Sequence, residues 1–136
     1  MNVTRKITIA GSTALALFAA GGAATTQAAP EPVSRTDLQT HDLSIPGREV
    51  IQTRVDFQPG AMAARHKHPG EEIIYVLKGT LVYDIDGQGE RTVKPGDVLF
   101  VPAGTVHSVN NIGDDEGSEL ATYIVDKNQP LLIPAP

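Results

Sequence analysis

Two segments of this chain, well separated in sequence, hold all of its histidines but one. His66 and His68 lie in the first, with Glu72 close behind them, and His107 lies in the second; the remaining histidine is His41. Residues two apart on a strand project from the same face, so His66 and His68 would present their imidazoles side by side. Pro69-Gly70-Glu71 reads as a tight turn, after which a second strand can run back and bring Glu72 near both rings. Three imidazoles and a carboxylate form a donor set for a borderline divalent metal such as manganese, iron, cobalt, nickel or zinc. His-x-His alone is ambiguous, because such a pair also decorates strand surfaces. A fold that uses all four groups must return His107 to the first segment.

The rest of the pattern says how such a return is made. From Arg48 onward the chain consists of short β-like runs separated by Gly/Pro turns, with no helical period. Strands are expected over Val50 to Phe57, Ala61 to His68, Glu71 to Leu77, Leu81 to Asp86, Arg91 to Lys94, Val98 to Val101, Thr105 to Asn111 and Leu120 to Val125. Parity puts Ile51, Thr53, Val55 and Phe57 on one face, and Glu72, Ile74 and Val76 on another. It puts Thr105, Val109 and Asn111 with His107, and turns Arg65 and Lys67 outward between the histidines. Glu71 and Tyr75 fall on the face opposite Glu72, while parity leaves the facing of Tyr83 and Tyr123 open. Many short strands with frequent turns describe an all-β sandwich or jelly roll. With three Phe, three Tyr and no Trp, its interior must be filled mainly by Ile, Leu and Val, and any pocket should be small. No internal repeat is visible, so a single barrel is expected.

The two segments resemble the two motifs of the cupin superfamily. The first family pattern, Gly, five residues, His-x-His, three or four residues, Glu, six residues, Gly, is met by Gly60, His66, His68, Glu72 and Gly79. The second, Gly, five residues, Pro-x-Gly, two residues, His, three residues, Asn, is met by Gly96, Pro102, Gly104, His107 and Asn111. The resemblance covers roughly residues 48–126 and implies a jelly-roll barrel (a double-stranded β-helix) with a metal held by His66, His68, Glu72 and His107. In style the chain is similar to the small single-domain, quercetin dioxygenase-like cupins. That likeness implies a metal-dependent oxygenase acting on a small hydroxylated or enolisable substrate, with Glu72 doubling as catalytic base. A metal-dependent lyase or isomerase, and a non-catalytic module that binds a small ligand or metal, remain open, because one barrel serves many chemistries. Asn111 is expected to bond backbone groups in the turn that follows it.

The ends and the composition set the remaining bounds. Arg5 and Lys6, an apolar run from Ile7 to about Ala20 and the small residues up to Ala28 have the layout of a secretory signal peptide cleaved after Ala28. A periplasmic or secreted protein with no stable membrane anchor follows as an expectation. Residues 29–47 are read as an N-terminal arm, 48–126 as the barrel and 127–136 as a C-terminal tail lying along the surface; His41, in the arm, is expected to be solvated. Loss of residues 1–28 takes two of the 11 basic residues and none of the 16 acidic ones, moving the net charge from −5 to −7. Nucleic acid, which requires a basic footprint, is excluded as a partner. The absence of cysteine excludes disulfides, thiolate metal ligands and a thiol nucleophile. A homodimer is expected, since single-barrel cupins often pair and the arm is long enough to join a neighbour's sheet edge.

Overall fold

The computed structural model describes residue 29 and residues 31–136; the expected signal segment, 1–28, lies outside the described residues. Ten strands form in chain order: β1 (Val33–Asp42), β2 (Arg48–Phe57), β3 (Met62–Lys67), β4 (Gly70–Lys78), β5 (Leu81–Ile85), β6 (Gly89–Val93), β7 (Val98–Val101), β8 (His107–Asn111), β9 (Gly117–Asp126) and β10 (Ile133–Pro134). They make two five-stranded sheets, ordered β1-β2-β9-β4-β7 and β10-β3-β8-β5-β6. Every strand pairing is antiparallel, and no helix forms among the described residues. The all-β jelly roll expected from the pattern is the fold observed.

Each of the eight runs read from the sequence coincides with a strand, β2 to β9, and the alternation within them decides what is buried. Thr53, Val55 and Phe57 point inward from β2, and Ile74 and Val76 from β4, while Tyr75 between them is exposed. Burial of such aliphatic side chains, about 1.5–3 kcal/mol each, is what binds the two sheets together. Tyr83 on β5 and Tyr123 on β9, whose facing parity left open, are both buried. The segment read as an arm contains β1, which pairs along its length with β2 of the same chain, from Val33 opposite Phe57 to Asp42 opposite Glu49. The tail contributes β10, which pairs with β3 through Ile133 and Lys67.

Two glycines are required by close approach. A Cβ on Gly70 would lie 2.0 Å from the Ile124 carbonyl oxygen, where β4 starts against β9. Gly79 has φ near +80°, and a Cβ there would meet the Gly117 Cα at 2.7 Å. Both turns launch or end the strand that carries Glu72, so these glycines set where that carboxylate sits.

Candidate metal centre

Strand register brings the separated segments together. β3 pairs with β8 so that His66 stands directly opposite His107, after a register shift between Ala63 and His66. His68 follows at the end of β3 on the same face. Glu72 comes from the other sheet, where it lies between Val101 of β7 and Tyr123 of β9. All four side chains are buried, none more than 7% exposed. One ring nitrogen from each of His66, His68 and His107 lies within 4.8 Å of the other two. The carboxylate Oε2 of Glu72 lies 3.0 Å from Nε2 of His107 and 3.3 Å from Nε2 of His68.

The tautomer of each ring is set by its backbone partner. Nδ1 lies 2.7 Å from the Ala64 carbonyl in His66, 2.6 Å from the Leu131 carbonyl in His68, and 3.1 Å from the Thr105 carbonyl in His107. A carbonyl oxygen only accepts, so each Nδ1 carries the hydrogen and donates it. Each neutral ring then presents the Nε2 lone pair to the interior. This is how metal-binding imidazoles are oriented. Nε2 of His68 and Oε2 of Glu72 are buried with no hydrogen-bond partner, although they are neighbours. Buried polar atoms without partners are costly, so these two, converging with Nε2 of His66 and His107, fit a cation held among the four.

The electrostatics run the same way. Burial holds the His66 imidazole down at about 4, despite the bond to Ala64, so it stays neutral. Burial would push the Glu72 carboxyl up, but its contacts with His107 and then His68 outweigh that and keep it well below the usual carboxylate range. For His107, burial lowers the pKa, yet the Glu72 carboxylate raises it more.

The interior also holds groups that the sequence reading passed over. Glu119 of β9 is buried, 3% exposed, and accepts a short hydrogen bond from the Tyr83 hydroxyl. Burial first and then the Glu72 charge raise its pKa to about 8, against the opposing bond from Tyr83. Burial, with the nearby Glu119 charge, pushes the Tyr83 phenol well above its usual value. The expected run began at Leu120, which left Glu119 in the loop; carrying the parity of Tyr123 and Ala121 back one step would have placed it inside. The Tyr83 ring stacks over His107 at 6.3 Å, and the Tyr123 ring lies 4.7 Å from that of His68. Arg35 of β1 donates from Nη1 to the Tyr123 hydroxyl at 3.1 Å. Asn111 is fully buried; its Nδ2 donates to the carbonyls of Phe57, Gln58 and Asp115, and its Oδ1 accepts from the Gly113 amide. It therefore holds the turn and is not part of the donor cluster. Glu71 faces away and pairs with Arg48 at 2.8 Å.

Residues 53–123, just over half of the chain, match the family profile described as "Cupin domain". The chain belongs to the cupin family. An oxalate-binding protein of Thermotoga maritima is 38% identical over 73 residues, covering 53% of this chain and 60% of that protein. Oxalate oxidase 2 of Hordeum vulgare is 34% identical over 82 residues, covering 54% of this cupin and 37% of the relative. This chain thus spans less than two thirds of the length of these curated relatives. Among solved structures, a recombinant oxalate oxidase in complex with glycolate superposes with a TM-score of 0.61 at 28% identity, over 78% of this chain and 56% of that one. A cupin superfamily protein from Desulfitobacterium hafniense, at 24% identity and a TM-score of 0.59 over 74% and 84% of the two chains, shares the fold.

Proposed function

We propose that His66, His68, Glu72 and His107 hold one divalent transition metal, and that this cupin is a metal-dependent oxygenase acting on a small hydroxylated or enolisable substrate. The observation that carries the proposal is the locked tautomers, which leave three Nε2 lone pairs beside an unpartnered, buried carboxylate oxygen. A bound metal would supply Lewis acidity toward a substrate oxygen and, if redox-active, the electrons for dioxygen chemistry. The chain's own groups do the rest. The carbonyls of Ala64, Leu131 and Thr105 hold the rings in place. Glu72, with its unpartnered Oε2, is the group placed to accept a proton from a substrate hydroxyl.

The likeness to an oxalate-binding protein and to oxalate oxidases supports small oxygen-rich anions as the ligands to try first. Elemental analysis of protein purified from its native compartment, followed by oxygen uptake with oxalate, glycolate and an enolisable phenol, tests the reading. A stoichiometric redox-active metal with substrate-dependent oxygen uptake is expected. Tight binding of one of these ligands, unchanged and without oxygen uptake, would establish a binding module in its place.

The same proposal includes export with loss of residues 1–28, for which intact mass of the envelope fraction is the test. Among the described residues no helix is long and apolar enough to cross a membrane. It also includes a homodimer. Ile73, Tyr75 and Leu77 of β4 and Val98 and Phe100 of β7 form an exposed apolar patch on the outside of one sheet, with Ile73 opposite Phe100 and Tyr75 opposite Val98. A second copy, laying the same face across it about a two-fold axis, covers such a patch isologously.

A further inference from the structure

His66 faces a cavity of about 330 Å³, at the small end of ligand pockets. Its wall is largely apolar, with Val33 and Leu132 among the lining residues, and it carries two guanidinium groups, Arg35 and Arg65. Arg65 is committed elsewhere. Its Nη2 lies 2.9 Å from both carboxylate oxygens of Asp86, and its Nε donates to the Pro136 carbonyl. Arg35 is different. It makes one side-chain hydrogen bond, to the Tyr123 hydroxyl, and pairs with no carboxylate among the described residues.

The register of β1 explains why Arg35 points in. Val33 lies opposite buried Phe57 and Arg35 opposite buried Val55, and both are half-buried while Ser34 and Thr36 between and beyond them are exposed. Through Tyr123, whose ring packs on His68, the guanidinium sits one side chain away from the histidine cluster. Its charge is felt at His107, Glu119 and Tyr123. The protein as a whole is acidic, yet this pocket carries a cation with unused donors beside a centre built to hold another cation. A planar guanidinium fork matches a carboxylate bidentately, which a neutral donor cannot do.

We propose that Arg35 is the ligand-positioning residue of this cupin: it clamps the carboxylate of a small 2-hydroxy or 2-oxo acid whose neighbouring oxygen reaches toward the His66 centre. The proposal rests on the metal reading above and narrows it to one class of substrate. Arg35 lies on β1, outside residues 53–123, the segment that matches the family profile.

Calorimetry on the full metal-loaded protein decides the matter, with lactate and its neutral isostere lactamide as probes. Metal content is measured first. In the unsubstituted protein lactate should bind at least about tenfold tighter than lactamide. Arg35→Gln should keep its metal and weaken lactate by roughly 10–100-fold, the scale of a lost hydrogen bond between charged groups, while lactamide changes by less than about threefold. Tyr123→Phe, which removes the one partner of Arg35 and leaves the guanidinium, should keep the lactate preference. If Arg35→Gln fails to fold, Arg35→Lys carries the test: it retains the charge, loses the fork and should weaken lactate selectively by about fivefold. Equal weakening of both probes would reduce Arg35 to a prop for Tyr123 and overturn the proposal, as would unchanged lactate binding. Absence of metal from the unsubstituted protein would sink the centre itself and this proposal with it.

Discussion

Glu72 is proposed to combine two roles, ligand and base, and Glu72→Gln separates them. The amide keeps the size and one oxygen donor but loses the charge and the basicity. The variant is expected to retain part of its metal while losing activity about a hundredfold or more, the scale of a lost general base. His66→Ala and His107→Ala should each lose most of the metal; elemental analysis beside oxygen uptake distinguishes the cases, and full metal content in both histidine variants would remove the site. Glu119 has the opposite environment. Folding raises its carboxyl from 4.5 to about 8, so the folded chain keeps a proton that the unfolded chain releases. The stability this contributes is full below about pH 4.5 and is lost as pH climbs through about 8. The charges that bear on it are Glu72 and Arg35, with Tyr83 as its hydrogen-bond donor. Glu119→Gln removes the titration, so its stability relative to the parent should rise between pH 5 and 8 by an amount on the order of 3 kcal/mol. Denaturant unfolding at both ends of that range gives the answer; a pH-independent difference would mean that Glu119 titrates normally.

At the scale of strands, what was legible in the sequence follows from which faces are buried. β4 and β8 each have one face in the core and alternate cleanly, so their inward residues could be read by parity. β5 and β9 alternate over most of their length too, but parity leaves the facing of Tyr83 and Tyr123 open, and the run expected from Leu120 starts later than β9 does. β1 could not be read this way. It is an edge strand with residues beyond Arg35 exposed, and its hydrogen bonds to β2, not an apolar face, make it a strand. β10 is two residues long and includes Pro134, a signal too short for any periodicity. The donor cluster was legible because its spacing is fixed by two strands and a turn. The surrounding shell was not, because Arg35, Glu119 and Leu131 reach the site only through long-range pairing. Leu131 gives the sharpest case: its carbonyl orients His68 from a tail read as lying along the surface. Truncation after Asn128 should leave the barrel folded, since β10 is only a two-residue edge strand of its sheet, but weaken metal binding about 10–100-fold through the loss of that carbonyl. Competition against a chelator, with circular dichroism as the folding control, would show it; unchanged affinity would make the carbonyl dispensable.

For the whole molecule, the exposed band on β4 and β7 is the surface proposed for pairing. Phe100 is 53% exposed and Val98 68%, a high apolar exposure for the outside of a sheet. Phe100→Glu should turn a dimer into a monomer in light scattering at micromolar concentration without loss of metal, because Phe100 points away from the centre; a monomeric parent protein would dismiss the pairing. The position of the centre has another consequence. Three of its donors hang from one sheet and the fourth from the other, so an ion among them acts as a rivet through the sandwich. The layers cannot part while the rivet is in place, and thermal resistance then tracks the free metal concentration outside, by about 1.4 kcal/mol for each tenfold excess over the dissociation constant. With the proposed ion as that rivet, the expected outcome, read by thermal unfolding against free metal, is a cupin that persists when well supplied and opens along the seam where Glu72 faces the histidines when starved.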